Sequence, residues 1–168
     1  MQKSSINLGE IQLIGLKART NLSNEINPLT SKIMQLVGQY FQEKIYLKIP
    51  NRQLEKSETP NRTFCAYTEY AGDYTADYTF FVGEEVTSLE SIPDSLSGLK
   101  IPAQHYTKFT TEPGPIPASV INAWQKIWLM SDKDLGGKRN YHTDFEIYDE
   151  RAMNPLNTIL DVYIGLQP

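Results

Sequence analysis

The chain of 168 residues carries a formal net charge of −4 and one cysteine, and these values already exclude several classes of protein. The length suits one domain with a sizeable core, and the acidic balance supplies no basic field for phosphate backbones, so direct binding to nucleic acid is not expected. Cys65 alone cannot form an internal disulfide, and the sequence shows no signal-peptide core and no membrane-spanning apolar stretch. We therefore expect a cytoplasmic protein without a membrane partner.

Apolar periodicity divides the first half of the chain into a strand, a helix and two further strands. Residues 9–20 are predicted to form the first strand, and the apolar positions of 28–44 follow helical spacing. The segments 64–70 and 78–86 are predicted to be an antiparallel pair of strands. The polar stretch 50–62, which precedes this pair, is predicted to be a loop.

The second half repeats this order of elements after a connector at 88–102 that contains proline, serine and glycine. A strand is predicted at 105–111 and a helix at 118–130, followed by strands at 143–150 and 159–166. The pattern strand, helix, strand, strand therefore occurs twice.

This internal repeat predicts an α+β fold in one domain, residues 1–168, made of two pseudo-symmetric halves at about 8–87 and 100–168. Two such strand-helix-strand-strand units can form one mainly antiparallel sheet, with the two main helices on one face. A cleft is expected where the halves meet, and such clefts are common ligand sites.

The strand at 143–150 carries the most informative polar residues. Its alternation places Glu146 and Tyr148 on one face, and Asp161 and Tyr163 are expected on the same surface if the last strand lies beside it. A glutamate on a rigid strand beside tyrosines is suited to meeting a cation or moving a proton. A solvent-exposed strand glutamate would be an ordinary surface residue, so the sequence pattern leaves both interpretations open.

Other conspicuous residues have ordinary structural explanations. His105 and His142 lack the spacing of metal ligands, so neither a metal site nor a cofactor is predicted. Glu84 is expected at a solvated strand end and residues 136–139 in a flexible turn. Of the two tryptophans on the second helix, at least one is expected simply to pack in the core.

Several short motifs together resemble a known family. They are Gly15 in the first strand, 77–86 (DYTFFVGEEV), 101–106 (IPAQHY), Gly114, Trp128 at the helix end, 145–149 (FEIYD) and 161–164 (DVYI). Their order and spacing, over nearly the whole chain, resemble the GyrI-like effector-binding family. This family supplies the ligand-sensing domain of many AraC-type and MerR-type bacterial regulators and also occurs as stand-alone proteins.

The resemblance implies a concave aromatic pocket for bulky, lipophilic and often cationic molecules, with Glu146 as the buried counter-ion. Tyr163 matches the aromatic position of the terminal strand, and Trp128 matches the tryptophan of the helix. The candidate ligand-binding residues are Glu146, Tyr148, Tyr163, Trp128, Tyr67, Tyr78, Phe80 and Tyr106.

Three functions follow as hypotheses. The first is a stand-alone effector-binding domain that binds bulky lipophilic, cationic small molecules in an aromatic cleft with a buried glutamate, in sensing or transcription regulation, with a separate regulator or protein partner. The second, an enzyme, is a hydrolase of strained electrophilic xenobiotics in which Glu146 would be the catalytic base. The third is a gyrase-inhibitor-like module that binds another protein.

Overall fold

Eight strands form a single sheet in the computed structural model, which describes residues 1–53 and 59–168. The strands are β1 (Gln2–Leu8), β2 (Ile11–Thr20), β3 (Thr63–Thr68), β4 (Tyr78–Glu85), β5 (Ser97–Ile101), β6 (Gln104–Thr110), β7 (Thr143–Tyr148) and β8 (Asp161–Gly165). The α-helices are α1 (Leu22–Glu25), α2 (Lys32–Gln42), α3 (Ala118–Trp128) and α4 (Asp132–Leu135), and single 3-10 turns lie at Ile45–Lys48 and Glu150–Ala152. No helix among these residues has both the length and the apolar character to cross a membrane.

The strand order is β1-β6-β8-β7-β3-β4-β2-β5, and all neighbours are antiparallel. The order reads outward from the centre as two equivalent series, β3-β4-β2-β5 and β7-β8-β6-β1. The α+β class and the antiparallel sheet predicted from the repeat are thereby confirmed, and β3 and β7 meet at the centre of the sheet.

The sheet is strongly curled, because two short connections join strands at its opposite ends. Leu8 at the end of β1 and Ile11 at the start of β2 are three residues apart, a reach of about 11 Å at most. Ile101 of β5 and Gln104 of β6 are joined equally closely. The two edges of the sheet therefore lie near each other.

Residues paired across strands point to the same side, so the register divides the core into an inner and an outer face. The inner face, enclosed by the curl, packs Phe64, Phe81, Phe145 and Tyr163 into one apolar cluster. The outer face carries the two long helices. Helix α2 packs on β2 and β4, and α3 packs through Trp124 and Ile127 on residues of β6 and β8.

The start of α2 is fixed by side chains that satisfy its free backbone donors. Ser31 is the N-cap, and its hydroxyl accepts from the amide of Met34 at 3.1 Å. The Glu25 carboxylate accepts from the amides of Lys32 at 3.1 Å and Ile33 at 3.2 Å. These contacts anchor the helix over the sheet, since the first turn of a helix leaves four amides without internal partners.

Two strands depart from the sequence-based prediction. The predicted strand at 9–20 is confirmed as β2, but β1 precedes it, and the connector at 88–102 contains β5. Both are edge strands. β1 is mostly exposed and polar, and β5 has only five residues, two of them apolar, so neither carries a strong strand pattern in its sequence. The predicted loop at 50–62 includes residues 54–58, which lie outside the described residues.

A buried glutamate at the centre of the sheet

Glu146 lies at the centre of the outer face, and its side chain is 1% exposed. The register of β7 sets it directly opposite Cys65 of β3 on one side and Val162 of β8 on the other. Val162 belongs to the cluster under α3, so the carboxylate is held beneath that helix. A strand buried on both faces gives such a side chain a rigid support.

Three neutral donors hold the Glu146 carboxylate. Oε1 accepts from the hydroxyl of Tyr67 at 2.8 Å and from the indole N–H of Trp124, and Oε2 accepts from the hydroxyl of Tyr148 at 2.6 Å. Burial raises the pKa of Glu146, while the three hydrogen bonds favour the ionised form and oppose that rise. The donors therefore orient the charge without neutralising it.

Glu146 differs from the other buried acids in lacking a basic partner. Within residues 1–53 and 59–168 it makes no ion pair, whereas three other buried carboxylates do: Glu84 with Arg52 (2.8 Å), Asp144 with Arg139 (2.6 Å), and Asp161 with Arg151 (2.8 Å) and Lys108 (3.1 Å). A buried charge is costly unless it is paired, so the arrangement at Glu146 would gain most from an added cation.

Aromatic rings surround the carboxylate on the outer face. The ring of Tyr67 lies 4.9 Å from that of Trp124, 5.4 Å from Phe80 and 5.7 Å from Tyr78, measured between centroids. Their faces carry the negative end of the ring quadrupole and attract cations. The cluster therefore combines apolar area with affinity for positive charge.

This aromatic cluster continues outward along α3. The rings of Trp124 and Trp128 lie 6.4 Å apart, and Trp128 stacks on Tyr74 of the β3–β4 loop with centroids 5.1 Å apart and planes 8° apart. Trp128 and Tyr74 are both partly exposed. A continuous series of rings thus connects the protein surface to Glu146.

One internal cation already lies beside this cluster. The Arg139 guanidinium is 4.4 Å from the ring centroid of Tyr141, 5.7 Å from Tyr70 and 5.8 Å from Trp124. It pairs with Asp144, two residues before Glu146 on the same face of β7. The Asp144 carboxylate and these aromatic rings therefore already stabilise one planar cation, the guanidinium of Arg139.

Cys65 faces Glu146 across the strands and is buried. Burial and the nearby carboxylate of Glu146 raise the pKa of its thiol, so the thiol stays protonated. Throughout the described residues, no group of three or more His, Cys, Asp and Glu side chains is placed to share a metal ion.

Comparison with known proteins assigns the chain to a family. A model described as Cass2, integron-associated effector binding protein, matches residues 6–166. The chain belongs to the Cass2 family. This assignment confirms the resemblance to GyrI-like effector-binding proteins that the motifs indicated.

Individual relatives agree with the family assignment. YobU of Bacillus subtilis strain 168, whose name places it provisionally among transcriptional regulators, is 28% identical over 114 residues, covering 68% of this chain and 69% of YobU. An integron cassette protein of Vibrio cholerae has a TM-score of 0.74 at 22% identity, covering 98% of this chain and 95% of that one. The structure of SAV2435 bound to tetraphenylphosphonium has a TM-score of 0.73 at 12% identity, covering 99% and 94%. The two solved structures show the shared fold.

The structure gathers six of the eight candidate ligand residues on the outer face of this Cass2 chain, around Glu146. These are Glu146, Tyr148, Tyr67, Tyr78, Phe80 and Trp128. The remaining two, Tyr163 and Tyr106, belong to the inner cluster with Phe145. The rings of Tyr163 and Phe145 are stacked there at 4.6 Å.

The prediction that Asp161 and Tyr163 share the surface of Glu146 is wrong. In the pairing of β7 with β8, Tyr163 lies opposite Phe145 and Asp161 opposite Ile147, so both point to the inner side. Alternation within one strand determines which of its residues share a face. The pairing register between two strands decides which of these faces continues onto the neighbouring strand, and a shift of one residue exchanges the two faces.

Sequence reasoning also missed three functional or structural roles. Trp124 contacts Glu146 directly, and its spacing of four residues from Trp128 was the available signal. Glu84, predicted at a solvated strand end, is 1% exposed and paired with Arg52. Arg139, predicted in a flexible turn, is 6% exposed and pairs with Asp144. Each buried charge depends on the fold to supply its hydrogen bonds and ring contacts, and most of these come from distant parts of the chain.

Proposed function

We propose that this Cass2-family chain binds a bulky lipophilic monocation in the aromatic cluster of the outer face, with Glu146 as counter-ion. The supporting observation is that Glu146 is a buried carboxylate without a basic partner among the described residues, whereas the other buried acids there are paired. The SAV2435 structure, which has the same fold and holds tetraphenylphosphonium, supports this ligand class.

Two physical contributions favour such a ligand. A positive charge about 4 Å from the carboxylate gains about 4 kcal/mol at an effective dielectric constant near 20. Contact with the faces of Tyr67, Trp124 and Phe80 adds about 0.5–2 kcal/mol for each well-placed cation–ring pair. Burial of the ligand's apolar surface against the same rings strengthens binding further.

Binding requires the cover over Glu146 to move. The carboxylate is 1% exposed, and rings of Tyr67, Trp124 and Tyr148 occupy the place where a cleft was predicted. We propose that the ligand displaces Trp124 and the outer part of α3. The positive charge of the ligand then replaces the indole N–H of Trp124 as a partner of the carboxylate. The resulting change in α3 would be the signal that a regulatory partner reads.

The regulatory part of the proposal is supported by the effector-binding family and by the name of YobU. An effector changes the behaviour of a partner only if it shifts the protein between two conformations. A helix whose tryptophan leaves a buried carboxylate on binding would provide such a shift.

Titration with tetraphenylphosphonium, followed by tryptophan fluorescence, tests the proposal. We expect saturable binding to the wild type and an affinity about 30-fold lower or worse in Glu146→Gln, because the neutral amide loses the charge attraction. Glu150→Gln removes the same charge at an exposed position and should leave the affinity unchanged. Equal affinity of the wild type and Glu146→Gln would refute the assignment of Glu146 as counter-ion.

A neutral ligand of similar bulk separates charge from shape. Triphenylphosphine oxide should bind the wild type more weakly than tetraphenylphosphonium, and Glu146→Gln should remove most of this preference. If Glu146→Gln still prefers tetraphenylphosphonium over the oxide as strongly as the wild type does, the cation binds elsewhere.

A further inference from the structure

Tyr40 of α2 is fully buried, yet its hydroxyl has no hydrogen-bond partner in the described part of the chain. Its ring is well packed, with centroids 5.2 Å from Phe41 and 6.2 Å from Tyr46. Buried hydroxyls are nearly always paired, since burying one without a partner is costly. A tyrosine in such a place, where phenylalanine would fill nearly the same volume, indicates that the hydroxyl is used.

The hydroxyl lies on the same side of the sheet as Glu146. Tyr40 packs in one cluster with Cys65 and Val82, both outer-face residues of the central strands. Cys65 of β3 is directly opposite Glu146 of β7, and Glu84 lies on β4, the next strand. Tyr40 therefore belongs to the cluster that covers Cys65, the residue directly opposite Glu146 on the neighbouring strand.

The nearby acid is not available to pair with this hydroxyl. The Glu84 carboxylate accepts from the guanidinium of Arg52 at 2.8 and 3.0 Å, and from the amide and side chain of Asn61 at 2.9 and 3.2 Å. Burial and the charge of Glu84 also raise the pKa of Tyr40, so its hydroxyl keeps the proton. The group is therefore a hydrogen-bond donor on the outer face.

We infer that the Tyr40 hydroxyl is a second anchor of the ligand site and donates a hydrogen bond to an acceptor oxygen carried by the cation. This inference rests on the proposed function and narrows its ligand class. The ligand is an amphipathic organic cation with a carbonyl or ether oxygen set apart from its charge, so that the oxygen reaches Tyr40 while the charge lies beside Glu146. Tetraphenylphosphonium, which lacks an acceptor, would use the Glu146 end alone.

Two phosphonium probes distinguish the two anchors. Tetraphenylphosphonium carries only the charge, and (4-acetylphenyl)triphenylphosphonium adds a carbonyl oxygen at the far end of one ring. Both are titrated into the wild type, Tyr40→Phe and Tyr46→Phe, the last removing a hydroxyl from a neighbouring tyrosine of the same cluster. We expect Tyr40→Phe to weaken binding of the acetyl compound about 3- to 10-fold, the value of one hydrogen bond, without changing the affinity for tetraphenylphosphonium.

Thermal unfolding of the free protein provides an independent measurement. Tyr40→Phe should not lower the melting temperature, because the hydroxyl has no partner to lose. A lower melting temperature would show that the hydroxyl is already paired in the free protein, which overturns the inference.

The binding results separate failure of this inference from failure of the proposed function. If Tyr40→Phe leaves both affinities unchanged, or weakens both equally, Tyr40 is not an acceptor-specific anchor, while loss of tetraphenylphosphonium binding in Glu146→Gln would still support the counter-ion. If neither probe binds the wild type, the proposed function is wrong and the second anchor is wrong with it.

Discussion

The ion pair between Arg139 and Asp144 should be one of the most sensitive points of the structure, and Arg139→Met tests this. Asp144 is fully buried and accepts from the Arg139 guanidinium at 2.6 and 3.1 Å, from the Tyr70 hydroxyl at 2.9 Å and from the Gly165 amide at 2.8 Å. The substitution removes the only ion-pairing base that the described residues supply to Asp144 and leaves two neutral donors.

Removing one partner of a buried pair leaves an uncompensated charge and costs about 3–5 kcal/mol. For a chain of this length the loss corresponds to a melting temperature lower by roughly 6–20 °C. Methionine preserves much of the apolar stem of Arg139, so the loss of the charge accounts for most of the effect.

The matched control is Arg62→Met. Arg62 pairs with Glu85 at 2.8 Å, but it is 48% exposed, and exposed pairs contribute about 0–1 kcal/mol. Urea unfolding followed by circular dichroism measures both variants, which avoids the fluorescence change expected when Arg139 leaves the face of Trp124. A loss of stability in Arg139→Met no larger than in Arg62→Met would refute the reasoning that burial makes this pair critical.

Three further predictions concern the site and the sheet. Tetraphenylphosphonium has a permanent charge, so only the ionisation of the protein can make its binding depend on pH. Burial raises the pKa of Glu146, and the affinity should fall as the pH falls through that pKa. Glu146→Gln should remove this dependence. Trp124→Phe removes a donor to the ionised carboxylate and should move the midpoint of the same titration to higher pH. Gly15→Ala should cost about 3 kcal/mol or more in urea unfolding, because its Cβ would lie 1.9 Å from the carbonyl oxygen of Val82, whereas Gly9→Ala, with no atom within 4 Å, should change stability by less than about 0.5 kcal/mol.

Much of the architecture could be predicted because periodicity reports local structure. The strands that became β2, β3, β4, β6, β7 and β8 all carry enough apolar residues to be recognised, and so do α2 and α3. Glu146 could be singled out because it lies within the FEIYD motif on a strand with clear alternation. Local patterns therefore located the central element of the site.

The pairing between distant elements could not be predicted in the same way. Tyr163 and Tyr106 were expected beside Glu146, but the register of β7 and β8 and the strand order place them on the inner face. Arg139 reads as an ordinary basic residue after two glycines until the fold brings it over Tyr70 and Asp144. Such assignments depend on how the strands pair and on contacts such as that of Arg139 with Tyr70, 69 residues away, which no local pattern contains.

The difference between the two acids of β7 explains the charge of the expected ligand. Asp144 and Glu146 lie on the same face of one strand, two residues and therefore about 7 Å apart. Arg139 neutralises Asp144, whereas Glu146 receives only neutral donors from the described residues, so this face presents one uncompensated negative charge rather than two. A ligand with a single delocalised charge matches that arrangement, while the second charge of a dication would meet the Arg139 guanidinium beside Trp124 and gain little. If Glu146 is the counter-ion as proposed, the resident arginine would make the site selective for monocations as well as stabilising the strand that carries Glu146.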